Sequence, residues 1–398
     1  MKSVNKFIDI NVSWILIIYI ALKPLYLSAS GTMQVCDLFF AASVVYLVFV
    51  KGKFAFTQYV FSAIKLLVLL IFYMAMVNGV WYFITAERGL LMKMLFYVFN
   101  LIAFCVCCIV ATSVGMDKLK RALAKGCCLS ALITVAGIVV YRGLRARNAG
   151  FFNNPNQLGY YALIIFTVLV LWPTYFSTFE KVTVVLVSVW AAFSSGSKAA
   201  IIGLAIMVLI YIAIGREKIT AKKLAVQMAL LLMFLAFVYF FLYGESRIIT
   251  SNATLSYVRQ RILNMATEND TGFGQGRGYN RVFEMGNHVL LGMGEGAYDR
   301  FHTLKGFEAH STYVSIFVSY GIIGVLLFLA CLKKIIIIPG KVKRNLCCLS
   351  GIALYSLTHN GIRNTLLWIL LAVMFLEGDD ALKDDQGMES ISDKGAEG

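Results

Sequence analysis

Gln157-Leu158-Gly159-Tyr160-Tyr161-Ala162-Leu163-Ile164-Ile165-Phe166-Thr167-Val168-Leu169-Val170-Leu171-Trp172 runs for sixteen residues without a charged side chain. As a helix rising about 1.5 Å per residue, such a run reaches most of the way across about 30 Å of hydrocarbon. Comparable runs lie near 10–29, 35–50, 63–84, 90–113, 124–141, 180–196, 199–215, 224–243, 312–331, 346–358 and 363–377. Together they predict about twelve helices. Of the 398 residues, 60% are apolar, 14% are charged and four are proline, with a mean hydropathy of +0.77. Soluble domains carry about 25% charged residues. This composition excludes a water-soluble enzyme, a disordered chain and a secreted disulfide scaffold. The fold class expected is an all-α polytopic integral membrane protein. The first apolar run has no A-x-A cleavage signal, so it reads as a retained anchor.

The formal charge of +15 need not imply nucleic acid, because membrane proteins use cationic loops to set their orientation. With the N-terminus inside, the inner connections hold eighteen Lys and Arg and the short outer ones hold six. The positive-inside rule then puts both termini in the cytoplasm. The single long connection, 244–311, lies outside. The expected organisation is helices one to nine over 1–243, a large periplasmic loop over 244–311, helices ten to twelve over 312–377, and an acidic cytoplasmic tail over 378–398. From Glu377 onward the chain holds eight carboxylates and two lysines, which reads as a solvated tail.

The kind of cation differs between the two faces. Fifteen of the eighteen inner cations are Lys, whereas eleven of thirteen outer ones, counting the long loop, are Arg. Orientation needs only charge. A guanidinium adds a planar fork that fits phosphate or carboxylate, so outer Arg points to an anionic ligand there, unless these Arg pair with the loop's own Glu and Asp. All four histidines, His288, His302, His310 and His359, also fall on the outer side. Lys23, Lys65 and Lys93 are the Lys and Arg within spans, with Lys23-Pro24 in the outer half of the first. The nine cysteines lie in or at the ends of spans, which suits apolar packing. In the long loop, 279–291 can be helical, and Gly292, Gly294 and Gly296 make a tight turn beside a ligand or a plain loop.

Several motifs occur in a telling order: Phe151-Phe152-Asn153-Asn154-Pro155-Asn156-Gln157-Leu158-Gly159, Ser195-Gly196-Ser197-Lys198-Ala199-Ala200, Gly276-Arg277, Leu291-Gly292-Met293-Gly294, His310-Ser311-Thr312-Tyr313 and Gly321-Ile322-Ile323-Gly324. In this order and at these places in the topology, they resemble the O-antigen ligase and polymerase superfamily, most strongly over 150–325. The resemblance implies a type C glycosyltransferase-like membrane fold in the bacterial inner membrane, with its active face periplasmic. It implies transfer of a glycan from undecaprenyl pyrophosphate to a sugar hydroxyl, with no metal and no cofactor. The partners implied are the lipid-linked glycan, an acceptor glycan or lipid A-core, membrane lipid, a chain-length regulator and a flippase, and not nucleic acid.

By the same resemblance, Lys198, Arg277 and His310 match the family's site, with His310 and Arg277 catalytic and Arg277, Lys198 and Arg281 binding pyrophosphate. Pyrophosphate is a good leaving group, so cationic donors that stabilise its developing charge are the chief requirement. A histidine with a pKa of about 6.5 suits removal of the acceptor proton, although His310 could instead orient phosphate. Departures from the family are Lys198 where Arg is usual, Arg281 where an aromatic is common, and Ser311 where Asn is common. Arg142, Arg145, Arg147, Asn156, His359 and Arg363 lie on the same face as supporting positions. The motifs lean toward a polymerase, with a ligase acting on lipid A-core as the alternative. A polysaccharide or lipid-linked sugar transporter is a second alternative. Against it, no inverted repeat is visible and the cations gather on one face.

Overall fold

The computed structural model describes residues 2–29, 32–51, 56–142, 147–213, 277–296, 300 and 308–379, with isolated positions between 236 and 264. The span expected over 224–243 lies almost wholly outside the described residues, as do Arg145, Gly276 and the tail beyond 379. Among the described residues all regular structure is helical. The long helices are α1 (Lys2–Leu22), α2 (Val35–Lys51), α3 (Gln58–Thr85), α4 (Gly89–Val114), α5 (Met116–Val140), α6 (Pro155–Leu171), α7 (Thr178–Ser195), α8 (Lys198–Ala213), α9 (Thr312–Ile336), α10 (Val342–Thr358) and α11, helical over 365–379. Helices α3, α4, α5, α7 and α9 are each long and apolar enough to cross a membrane. The chain is thus a multi-pass membrane protein, all-helical among the described residues. All nine cysteines sit in α2, α4, α5, α9 and α10.

The run that is apolar on every face is the centre of the bundle. Every residue of α6 from Leu158 to Leu171 is buried, and so is α11 along its length. A helix that is apolar all round needs a partner on each side, and α6 packs against α5, α7, α8 and α10. Glycines let α8 and α10 approach closely: a Cβ built at Gly203 would lie 2.9 Å from the Gly351 carbonyl oxygen, and one at Gly351 would lie 2.5 Å from Met207 Sδ.

The polar motifs between the apolar runs start and stop helices. Asn154 caps α6 by accepting the Gln157 N–H at 2.9 Å, and Pro155 occupies the first turn, where a missing N–H costs nothing. Ser177 and Glu180 form a capping box at the start of α7, and Gly196, at φ 57°, ends it. Ser311 caps α9.

Three expectations need correction. Helix α1 ends at Leu22, not near residue 29, because Pro24 has no N–H and disfavours a helical Lys23. Lys23 therefore lies past the helix, where it meets Asp37 at 2.9 Å. Within 279–291 the helix is only one turn, Arg281–Glu284, and a 3-10 turn, Gly286–His288. Glu377 and Asp379 are not solvated: they end α11 at 3% and 4% exposure. Lys120 at 2.9 Å and Arg344 neutralise the Glu377 carboxylate, Trp172 Nε1–H donates to it at 2.8 Å, and Thr57 donates to Asp379 at 2.6 Å.

Two of the glycine motifs meet. Helix α9 breaks at Gly321, which has φ 63° and ψ −165°. The segment 289–294 lies across the break: Met293 N–H donates to Val318 O and Gly294 N–H to Ser319 O, both at 2.9 Å, while Ile322 N–H donates to Val289 O at 2.9 Å. The loop thus supplies the partners that the interrupted helix lacks. Gly292 and Gly321 are needed because the two backbones are in contact, a Cβ on either falling 2.4 Å from the other segment. The Tyr73 hydroxyl fastens the junction, donating to Leu291 O at 3.1 Å and Tyr320 O at 3.0 Å.

Candidate functional site

The caps of α6 and α9, the turn after α7 and the end of α10 all lie at one end of the bundle. Arg277 joins two of these parts. Its guanidinium donates to Thr358 O at 2.8 Å, and its carbonyl accepts the His310 N–H at 2.9 Å. Beyond Thr358 the His359 ring stacks on Tyr355 at 4.4 Å, with Nδ1 3.0 Å from Thr358 Oγ1. Tyr355 stacks in turn on Tyr160 at 4.8 Å, and its hydroxyl donates to Asn156 O at 2.8 Å. Gly361 makes this possible, since a Cβ there would meet Tyr160 Cζ at 2.5 Å.

Arg147 completes the group. Its Nη2 donates to Asn156 Oδ1 at 2.6 Å and its Nε to Ser195 O at 2.8 Å. The side chain passes over Gly196, which Lys198 follows as the half-buried first residue of α8. Arg147, Asn156, Arg277, His310 and His359, scattered over more than two hundred residues of sequence, therefore converge at one mouth. Arg142 is exposed just past α5.

Burial and then neighbouring cations set the state of both histidines. Burial, then Arg277, His310 and Arg147, push the His359 imidazole down to about 3. Burial and Arg277 also hold His310 below its ordinary value, with Arg281 adding to this and Glu308 opposing it. Both rings are therefore neutral at physiological pH, and a neutral imidazole can accept a proton. Arg281 is 1% exposed, and burial lowers its pKa against the pull of Glu284 and Glu308.

Beside this cationic mouth lies an ion-paired one. Glu308 accepts from Lys93 Nζ at 2.6 Å and from the Arg363 guanidinium. Burial would raise the Glu308 carboxyl, but Arg363 and Lys93 outweigh it and hold it down to about 2. Glu295, 2% exposed, accepts from the Tyr97 and Tyr320 hydroxyls, the latter at 3.1 Å. Its N–H donates to Asn78 Oδ1 at 2.8 Å. Arg300 bonds Glu87 at 3.0 Å and lies over Trp81 at 5.2 Å. Sequence reasoning did not assign Glu308, Glu295 or Lys93 to the site. Lys93 carried the one available signal, a cation inside an apolar run, which marks a functional or paired position.

The fold and the site define an all-helical, multi-pass membrane protein with an arginine and histidine mouth at one end. Residues 183–329 match the family described as O-antigen ligase. The matched stretch, which is similar to that family, covers most of α7, α8, the Gly292–Gly321 junction, Arg277 and His310. No curated protein and no solved structure matches the chain.

Proposed function

We propose that this protein transfers a glycan from an undecaprenyl-pyrophosphate-linked donor to a sugar hydroxyl at the periplasmic face of the bacterial inner membrane. The observation that carries the proposal is the convergence of Arg147, Arg277, His310 and His359 at one mouth. The donor's pyrophosphate lies against Arg277 and Arg147, with Lys198 at the adjoining helix start. Their charge stabilises the negative charge that grows as the bond from the anomeric carbon to pyrophosphate breaks. The acceptor hydroxyl oxygen attacks that carbon, and an imidazole nitrogen of His310 takes its proton. The pyrophosphate leaves on its lipid, so the step needs no metal and no cofactor. Glu308 is a poor candidate for the base, because a carboxyl held near 2 binds protons weakly.

His359 and Asn156 brace this arrangement, the first stacked on Tyr355 and the second bonded to Arg147. Arg281 supports it from beneath, through charge and not contact with substrate, since it is 1% exposed. Arg142, exposed just past α5, extends the positive rim toward the glycan. Arg363 acts through Glu308. Twelve crossings with both termini cytoplasmic rest on the apolar run lengths and on the excess of Lys and Arg in the inner connections.

Within this reading the protein is a polymerase that extends a surface polysaccharide, working beside a chain-length regulator and a flippase. The description of the matched family as O-antigen ligase favours a second reading, transfer of the chain to lipid A-core. The test is to reconstitute the purified protein with an undecaprenyl-pyrophosphate oligosaccharide and no second acceptor. A product ladder that vanishes in Arg277→Ala, with the variant still inserted and folded, is expected. No ladder, but product once lipid A-core is added, establishes the ligase. No product under either condition rejects both.

A further inference from the structure

Each residue from Glu308 to Ser311 is held by a different contact. Glu308 is gripped by Lys93 of α4 at 2.6 Å and by Arg363 of the link between α10 and α11. Ala309, 5% exposed, packs on Gly278, whose built Cβ would lie 3.3 Å from Ala309 Cα. The His310 N–H is given to Arg277 O, and the Ser311 hydroxyl caps α9. The backbone is thus fixed from three sides, while His310 remains exposed to the mouth.

Lys93 comes from α4 and Arg363 from the link between α10 and α11, whose Gly361 N–H also donates to Thr312 Oγ1 at 3.1 Å, so Glu308 joins α4 to a link already bonded to the start of α9. A carboxylate between two cations is costly to remove, because its loss leaves two uncompensated charges in a half-buried place. The charged groups that face His310 are Arg277, Arg281 and Glu308, with His359 across the link. Among these, Glu308 supplies the negative charge. Arg277 and Arg281 both disfavour a protonated imidazole, and Glu308 alone of the three favours it.

We propose that Glu308, clamped by Lys93 and Arg363, is the positioning residue for His310, fixing where the imidazole stands and how basic it is. This rests on the reading of His310 as the proton acceptor. A base must be weak enough to be free at working pH and strong enough to take the acceptor proton. Without Glu308 the surrounding guanidinium charge would leave the ring free but feebly basic. Glu308 offsets part of that charge.

The experiment uses the full chain in nanodiscs and measures carbethoxylation of His310 by diethylpyrocarbonate against pH, read by peptide mass spectrometry. Only the neutral ring reacts, so the midpoint reports the His310 titration without any need for activity. In Glu308→Gln the midpoint is expected to fall by about one pH unit, the low end of what a neighbouring opposite charge supplies. Lys93→Gln keeps the carboxylate and opens one jaw of the clamp; a midpoint no lower than wild type is expected, with kcat reduced at least several-fold and KM little changed. A wild-type midpoint in Glu308→Gln, or wild-type turnover in Lys93→Gln, overturns the assignment. Should Glu308→Gln fail to fold, Lys93→Gln decides alone. If the unaltered protein transfers no glycan, the proposed reaction fails, while the midpoints still show whether Glu308 governs His310.

Discussion

Replacing Gly321 by Ala is a direct test of the broken helix. At φ 63° and ψ −165° the position lies in a backbone region used essentially by Gly alone, and occupying it with another residue costs of order 1–3 kcal/mol. The added Cβ would also stand 2.4 Å from Leu290 O and 2.7 Å from Gly292 N, so the loop must move off the helix. Overpacking of this kind costs about 1–3 kcal/mol more. The sum is about 2–6 kcal/mol, which at roughly 2 °C per kcal/mol for a large chain is a fall of about 4–12 °C in the melting midpoint. Gly79→Ala is the control. Gly79 lies inside α3 with nothing within 4 Å of its built Cβ, so Ala there should be neutral or stabilise by about 0.5–1 kcal/mol. The assay is thermal unfolding of the purified protein in detergent, followed by tryptophan fluorescence. Equal midpoints for Gly321→Ala and Gly79→Ala would refute the reasoning, because an unbroken α9 would then be accessible at no cost.

Arg147→Ala should lower transfer by about 10²-fold, the scale for losing one donor to a developing negative charge, and Arg147→Lys should recover little, since a point charge cannot hold Asn156 Oδ1 and Ser195 O together; full activity in the Lys variant would show that the fork is not used. Transfer by the unaltered protein should rise with pH through a midpoint below 6.5, because His310 must be neutral and its pKa is lowered; a rate that falls over that range would exclude it as the base. Glu308 is depressed from 4.5 to about 2 in the folded chain, so its contribution to stability is complete above about 4.5 and is lost as pH falls toward 2. Acid unfolding curves of the unaltered protein and Glu308→Gln should therefore converge in that window, and parallel curves would exclude the pairing.

Much of the helix layout was legible because apolar length and capping chemistry are local. The runs expected from 157, over 180–196 and from 312 fall close to α6, α7 and α9, whose ends are set by Asn154, Gly196 and Ser311, since a cap needs only the few positions around it. Gly321 shows the limit. The run from Thr312 to Leu332 holds no charged residue and reads as one helix, and its break is stabilised by a loop that lies some thirty positions earlier in the chain. Glu377 and Asp379 misled for a related reason: acidic residues ahead of a polar tail look solvated until Lys120, Arg344 and Thr57 arrive from other helices.

The site divides in the same way. Arg277 and His310 were singled out in the sequence by type and motif, and the structure joins them through the His310 N–H and the Arg277 carbonyl. Their sequence could not say that Arg277 would hold both Thr358 O and the His310 backbone, that Arg147 would be the cation bonded to Asn156 and the Ser195 turn, or that Arg281 would be buried. The sequence by itself determined the membrane class and the order of the long apolar helices, set by composition and near-neighbour chemistry. Only the tertiary structure decided which cations face the mouth and which are neutralised by Glu308, because charge pairing depends on distances of a few ångströms between helices far apart in the chain.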